Sequence, residues 1–153
     1  MPVAVDPTSR FVYACNFQAG LSVSAYTINP STGALTQMPG SPFGAGTSPY
    51  AIAITPNGRY VYTTDTVKNV VSAYAIGTGG FLTPLSTPSY TIGPVGEGWS
   101  RSGAAVSPDG SFLYVTSNVG VTGYAIGSDG LLAPLGTLAY SDRAAPWGIV
   151  AVP

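Results

Sequence analysis

Along the chain, short runs of apolar residues alternate with polar ones at a period of two, and Gly, Pro, Asn and Asp cut them at close intervals. FVYACN at 11–16, VSAYTI at 23–28, RYVYTTD at 59–65 and VSAYAI at 71–76 all have this form. Alternation rich in Tyr, Val, Ile and Thr predicts strands, and runs this short leave no room for long helices. In VSAY, Val23 and Ala25 fall on one face and Ser24 and Tyr26 on the other. Both faces carry sizeable groups, as a sheet covered on both sides requires.

The runs repeat in a fixed order. VAVDP at 3–7, IAITP at 52–56, AAVSP at 104–108 and IVAVP at 149–153 superimpose, so a proline returns about every 50 residues. Each of the first three is followed by a turn and an aromatic strand: FVYACN at 11–16, RYVYTTD at 59–65, SFLYVTSN at 111–118. Next come VSAYTI, VSAYAI and VTGYAI (121–126), a Gly-bearing turn, and LTQMP at 35–39, LTPL at 82–85 or LAPL at 132–135. Four strands per unit, A to D from the centre outward, is the grammar of a propeller blade. The predicted fold is all-β: a partial β-propeller of three four-stranded antiparallel blades plus one extra innermost strand. Blade 1 takes residues 2–50, blade 2 51–103 and blade 3 104–148, with a fourth begun at 149–153. Asp6-Pro7, Pro56-Asn57-Gly58 and Pro108-Asp109-Gly110 supply the fixed and positive φ values that the A-to-B turns need.

Composition agrees and narrows the partners. Of 153 residues 45% are hydrophobic and 7% charged, with 20 Gly, 14 Pro and a net charge of −1. Without a basic cluster, nucleic acid and anionic membrane surfaces are disfavoured. No apolar run approaches the ~18 residues of a spanning helix. Cys15 is the only cysteine, which excludes an intrachain disulfide and reads as a small buried hydrophobe. The chain has no histidine and no stretch that concentrates carboxylates, so no metal or other cofactor is expected.

The tetrads Tyr13-Ala-Cys-Asn16, Tyr62-Thr-Thr-Asp65 and Tyr114-Val-Thr-Ser117 resemble the YVTN repeat. With VSAYTINPSTGALTQMPGSPFGAGTSPYAIAI, they make the chain similar to the lactonase-like β-propellers, the family of bacterial 6-phosphogluconolactonase and many secreted YVTN proteins. The resemblance covers nearly all of the chain and implies about seven blades, an exported or cell-surface location, and a sugar or lactone ligand. The opening MPVAVDP, by contrast, has neither the basic nor the apolar segment of a signal peptide. The family's polar cluster of His, Arg and Glu at the channel mouth has no counterpart here residue by residue.

Chemistry is expected in the D-to-A loops. Residues 89–103 hold Glu97, Trp99 and Arg101, and residues 139–148 hold Asp142, Arg143 and Trp147. Glu97 as base and Arg101 as electrostatic partner would suit lactone hydrolysis, with Trp99 as an apolar wall; a solvated ion pair is the plainer reading. Pro49-Tyr50 and Pro146-Trp147 hold one slot before strand A, which points to packing between blades. Two functions stand open. One is a non-enzymatic segment acting in assembly or binding through uncovered end blades, with further blades or copies of itself as partner, in a closed ring or an open filament. In that reading Ile149, Val150, Ala151 and Val152 form a strand that clasps a neighbour. The other is lactone hydrolysis by a complete propeller to which the chain contributes.

Overall fold

The computed structural model describes residues 2–16, 21–44, 48–65, 67–92, 102–118, 120–139 and 149. They form three antiparallel sheets in chain order. The first holds β1 (Val3–Val5), β2 (Phe11–Asn16), β3 (Ser22–Ile28), β4 (Leu35–Gln37) and β5 (Phe43–Gly44). The second holds β6 (Pro49–Ile54), β7 (Tyr60–Asp65), β8 (Val70–Ile76) and β9 (Leu82–Thr91). The third holds β10 (Ala104–Val106), β11 (Phe112–Thr116), β12 (Gly120–Ile126) and β13 (Leu132–Ala139). Strand order within each sheet follows the sequence, and of the first strands β6 packs against β1 on one side and β10 on the other, as strands about a central axis do. This is a partial β-propeller.

One A-to-B turn is built three times. Asp6, Thr55 and Ser107 each place a side-chain oxygen on the N–H that opens the next strand: Phe11 at 2.6 Å, Tyr60 at 3.0 Å, Phe112 at 2.9 Å. Each carbonyl also accepts from the residue three on, at 2.8 Å from Ser9, Gly58 and Gly110. Those three have φ of 57°, 67° and 76°, so Ser9 holds a left-handed position that its two counterparts give to glycine. Burial acting alone would raise the Asp6 carboxyl, but hydrogen bonds from the Thr8 hydroxyl and the N–H groups of Phe11, Thr8 and Arg10 hold it below the ordinary value.

The outermost strands differ from expectation. β9 and β13 run on to Thr91 and Ala139 through register shifts opposite Ser72/Tyr74 and Gly123/Tyr124. Residues 89–91 and 139, expected in loops, are therefore strand. Pro84, Pro88 and Pro134 lie in these strands, where an edge leaves a missing N–H harmless. In the first sheet the outer strand is split: β4 and β5 both pair with β3, separated by a turn containing a cis Ser41-Pro42 bond. There the Ala25 N–H donates to Ser41 Oγ at 2.9 Å in place of a ladder partner.

The blades are joined by one repeated contact. Tyr13 sits between Ala4 and Ala25 in its sheet, Tyr62 between Ala53 and Ala73, Tyr114 between Ala105 and Gly123. Small neighbours let each ring lean toward the following blade. Tyr13 Oη donates to Gly80 O at 2.7 Å and Tyr62 Oη to Gly130 O at 2.9 Å, each across a blade boundary. The ring two residues earlier lies flat on the same glycine: a Cβ on Gly80 would stand 2.7 Å from Phe11, and one on Gly130 2.5 Å from Tyr60 Cε1. From the other side, Tyr74 Oη reaches back to Gly44 O at 3.2 Å and Tyr124 Oη to Thr91 O at 2.7 Å. Two apolar clusters fill the joints, one around Phe11, Tyr13, Cys15, Val23, Ile52 and Tyr74, the other around Tyr60, Tyr62, Val71, Leu113, Val115 and Tyr124.

Two predictions follow from these joints. Gly80→Ala and Gly130→Ala, which combine a left-handed φ with a ring in the way, should each cost about 2–4 kcal/mol in urea denaturation. Gly58→Ala, with the same sign of φ but only an ordinary 3.6 Å contact to Pro7, should cost about 1 kcal/mol.

The second concerns alkaline pH. Burial pushes the phenols of Tyr13, Tyr62 and Tyr74 above their ordinary 10.0 and that of Tyr124 up to about 12. The unfolded phenols ionise first, so these groups stabilise the fold fully below pH 10.0 and lose that contribution as pH rises through the folded values. The urea midpoint should therefore fall as pH is raised from about 9 to about 11. Tyrosinate absorbance from these residues should appear together with the loss of β-sheet circular dichroism and not before it.

Candidate functional site

At one end of the axis the start of each innermost strand meets the end of the second strand and the start of the third, as the pairings Val3↔Ala14, Pro49↔Asp65↔Val70 and Ala104↔Val115 place them. The loops that the sequence marks for chemistry open at this end. The last two residues of each YVTN-like tetrad also lie here, and their polar atoms are taken up in bracing it. Asn16 Nδ2 donates to Ser22 Oγ at 3.0 Å and Ser24 Oγ at 2.9 Å across the B-to-C turn. The buried Asp65 carboxylate accepts from the N–H groups of Ser48 at 3.0 Å, Val67 at 2.9 Å and Lys68 at 2.8 Å. Ser117 closes the shortest of these turns through its N–H to Gly120 O at 2.9 Å.

The third tetrad position ties blade to blade. Thr64 Oγ1 accepts from Ala51 N–H at 3.0 Å and shares a 2.5 Å hydrogen bond with Ser102 Oγ, two residues before β10 of the next sheet. Cys15 Sγ points at Ala51 O, 3.7 Å away, and burial pushes this thiol up to about 12. Cys15 is a packing residue, as its sequence context indicated. Asp65, with three N–H donors on its oxygens, anchors a loop. The sequence marks this tetrad for the fold alone; an Asp at the strand end, able to accept from the N–H groups two and three residues on, is the signal for the loop brace.

Of the residues singled out for chemistry, Tyr50 is placed in β6 at the mouth end, half-buried, where the ladder shifts register between Pro49 and Ala51. Ile149 is half-buried. Glu97, Trp99, Arg101, Asp142, Arg143, Trp147, Val150, Ala151 and Val152 lie outside the described residues. A cavity of about 250 Å³ is lined by Asp65, Lys68, Ser72 and Tyr74 of β8 and Pro84 and Ser89 of β9, with no residue of β6. Among the described residues no three His, Cys, Asp or Glu come together as a metal site, and no helix is long and apolar enough to cross a membrane.

Comparison with known proteins gives the arrangement its context. No curated protein matches the sequence closely enough to count as a relative. Among solved structures, a periplasmic gluconolactonase of Pseudomonas aeruginosa superimposes with a TM-score of 0.74 at 22% identity, over 91% of this chain and 40% of that one. A Bacteroides uniformis protein, a 6-phosphogluconolactonase candidate, gives 0.76 at 20% over 91% and 40%. A functionally unknown protein of Desulfotomaculum acetoxidans gives 0.75 at 21% over 90% and 41%. At these identities the likeness is one of fold, and the chain spans about two fifths of each structure's length. The family model described as lactonase, 7-bladed beta-propeller, matches residues 2–140, which take in every described strand. The chain belongs to the lactonase family of seven-bladed β-propellers.

Proposed function

We propose that the chain supplies three blades of a propeller that hydrolyses a lactone of a sugar acid. The observation that carries this reading is the family match over residues 2–140, and it favours hydrolysis over a purely non-enzymatic role in assembly. Opening a lactone requires water to add to the ring carbonyl, the C–O bond to the ring oxygen to break, and that oxygen to leave as a hydroxyl. A carboxylate can take the proton of the attacking water, and a cation or N–H donors can hold the carbonyl oxygen as it becomes negative. These three blades hold no histidine, so the proton acceptor they can offer is a carboxylate. We assign Glu97 as base and Arg101 as oxyanion partner on the longest D-to-A loop, with Trp99 as the apolar wall against a sugar ring.

The test is proton release from 6-phosphogluconolactone and from simple lactones. Catalysis above the buffer rate is expected, and Glu97→Gln and Arg101→Ala should each reduce it by about tenfold or more with the β-sheet circular dichroism unchanged. Lactones opening no faster than in buffer alone would remove the proposal.

A further inference from the structure

The joint of blade 2 with blade 1 and that of blade 3 with blade 2 use the same positions, but the first is hollow. Tyr74, reaching back to Gly44, and Tyr124, reaching back to Thr91, mark the two corresponding faces. On that face of blade 3, Val115, Thr122 and Thr137 form a cross-strand row, and the hydroxyls of Thr122 and Thr137 close on each other at 2.8 Å. The matching row of blade 2 is Thr63, Ser72 and Ser89. Each serine is a methyl smaller than its counterpart, and Thr63 puts a hydroxyl where Val115 has a methyl. Thr63 is 1% exposed, and its Oγ1 has no hydrogen-bond partner among the described residues. A hydroxyl buried in this way is costly, so packing alone would favour the valine of blade 3. The outer strand widens the hollow. Between Ser72 and Tyr74 two residue steps of β8 are answered by five of β9, from Ser89 to Pro84. At the same place in blade 3 one step of β12 is answered by two of β13. A bulge of this kind bends the strand that carries it, and the cavity of about 250 Å³ lies against it. Its lining comes wholly from blade 2, at a joint whose two blades are both present.

We propose that this cavity binds a neutral monosaccharide. The hydroxyls of Ser72 and Ser89 can each donate and accept, and Tyr74 Oη, whose proton goes to Gly44 O at 3.2 Å, can accept. Sugar hydroxyls, donor and acceptor at once, match that set. Val70, Pro84 and Pro88 supply an apolar wall for the C–H face of the ring. Asp65 and Lys68 both line the cavity with opposite charges, so neither an anion nor a cation is favoured. The volume falls below the roughly 300–1,000 Å³ of sites for larger ligands, which fits a single ring. No residue assigned to lactone opening lines the cavity, so the sugar is held there and not transformed.

Amide correlation spectra of the full chain, titrated with glucose, galactose and mannose in turn, test this without reference to activity. At least one sugar should shift the amides of β8 and β9 with a millimolar Kd, as so small a ligand allows. Gluconate should bind no more tightly, because the charges of the cavity cancel. The combined variant Thr63→Val, Ser72→Thr, Ser89→Thr gives blade 2 the row with which blade 3 folds. It should weaken binding by about tenfold or more with the β-sheet circular dichroism unchanged. Ser72→Thr alone, which adds one methyl to the cavity wall, takes its place if the combined variant does not fold. The absence of shifts up to about 100 mM of all three sugars would overturn the proposal. So would equal shifts from glycerol, which would make the cavity a hydration site, or undiminished binding by the variant. Tighter binding of gluconate would overturn the neutral ligand, and shifts confined to residues 93–103 would place the sugar at the proposed active site instead.

Discussion

The structure depends on an aromatic ring laid against a glycine of the next blade. Phe11 on Gly80 and Tyr60 on Gly130 leave no room for a Cβ, and the tyrosine two residues on donates to the same glycine's carbonyl. Apolar contact alone would let two sheets slide, because it has no direction. A phenol buried with one carbonyl in reach has direction, since moving it away strands a donor at a cost of about 1–3 kcal/mol. The pair therefore fixes spacing and rotation between blades together.

Much else follows from that contact. The alanines on either side of Tyr13 and Tyr62 are small so that the ring can cross to the neighbour. The A-to-B turn must deliver Phe11 or Tyr60 at one position, and the oxygen of Asp6 or Thr55 on that residue's N–H sets it. The C-to-D turn must present a glycine with positive φ at the other side. At the loop end, Cys15 and Thr64 extend the same joint to Ala51 and Ser102, which carries the blade spacing to the place where the long loops emerge. A family of propellers can vary those loops freely because the scaffold's alignment is held elsewhere.

The candidate site separates along the same line. The Asp65 oxygens accept from the N–H groups of Ser48, Val67 and Lys68, so its charge organises the loop end of the described scaffold. The family assignment rests on the blades, whose residues are held by packing.

The sequence by itself determined the strands, the turns and the number of blades. Alternation at period two and the recurring Pro and Gly are local signals, and β2, given as Phe11–Asn16 in both readings, needed nothing more. It also exposed the tetrads that carry the family resemblance. Only the tertiary structure decided which carbonyl each tyrosine reaches, because Gly80 lies 67 residues from Tyr13 and alternation assigns a side chain to a face without naming what covers it. It also decided the length of β9 and β13 and the split of β4 from β5. Proline-bearing outer strands carry weak local signals, and they are extended by the pairing that β3, β8 and β12 offer them.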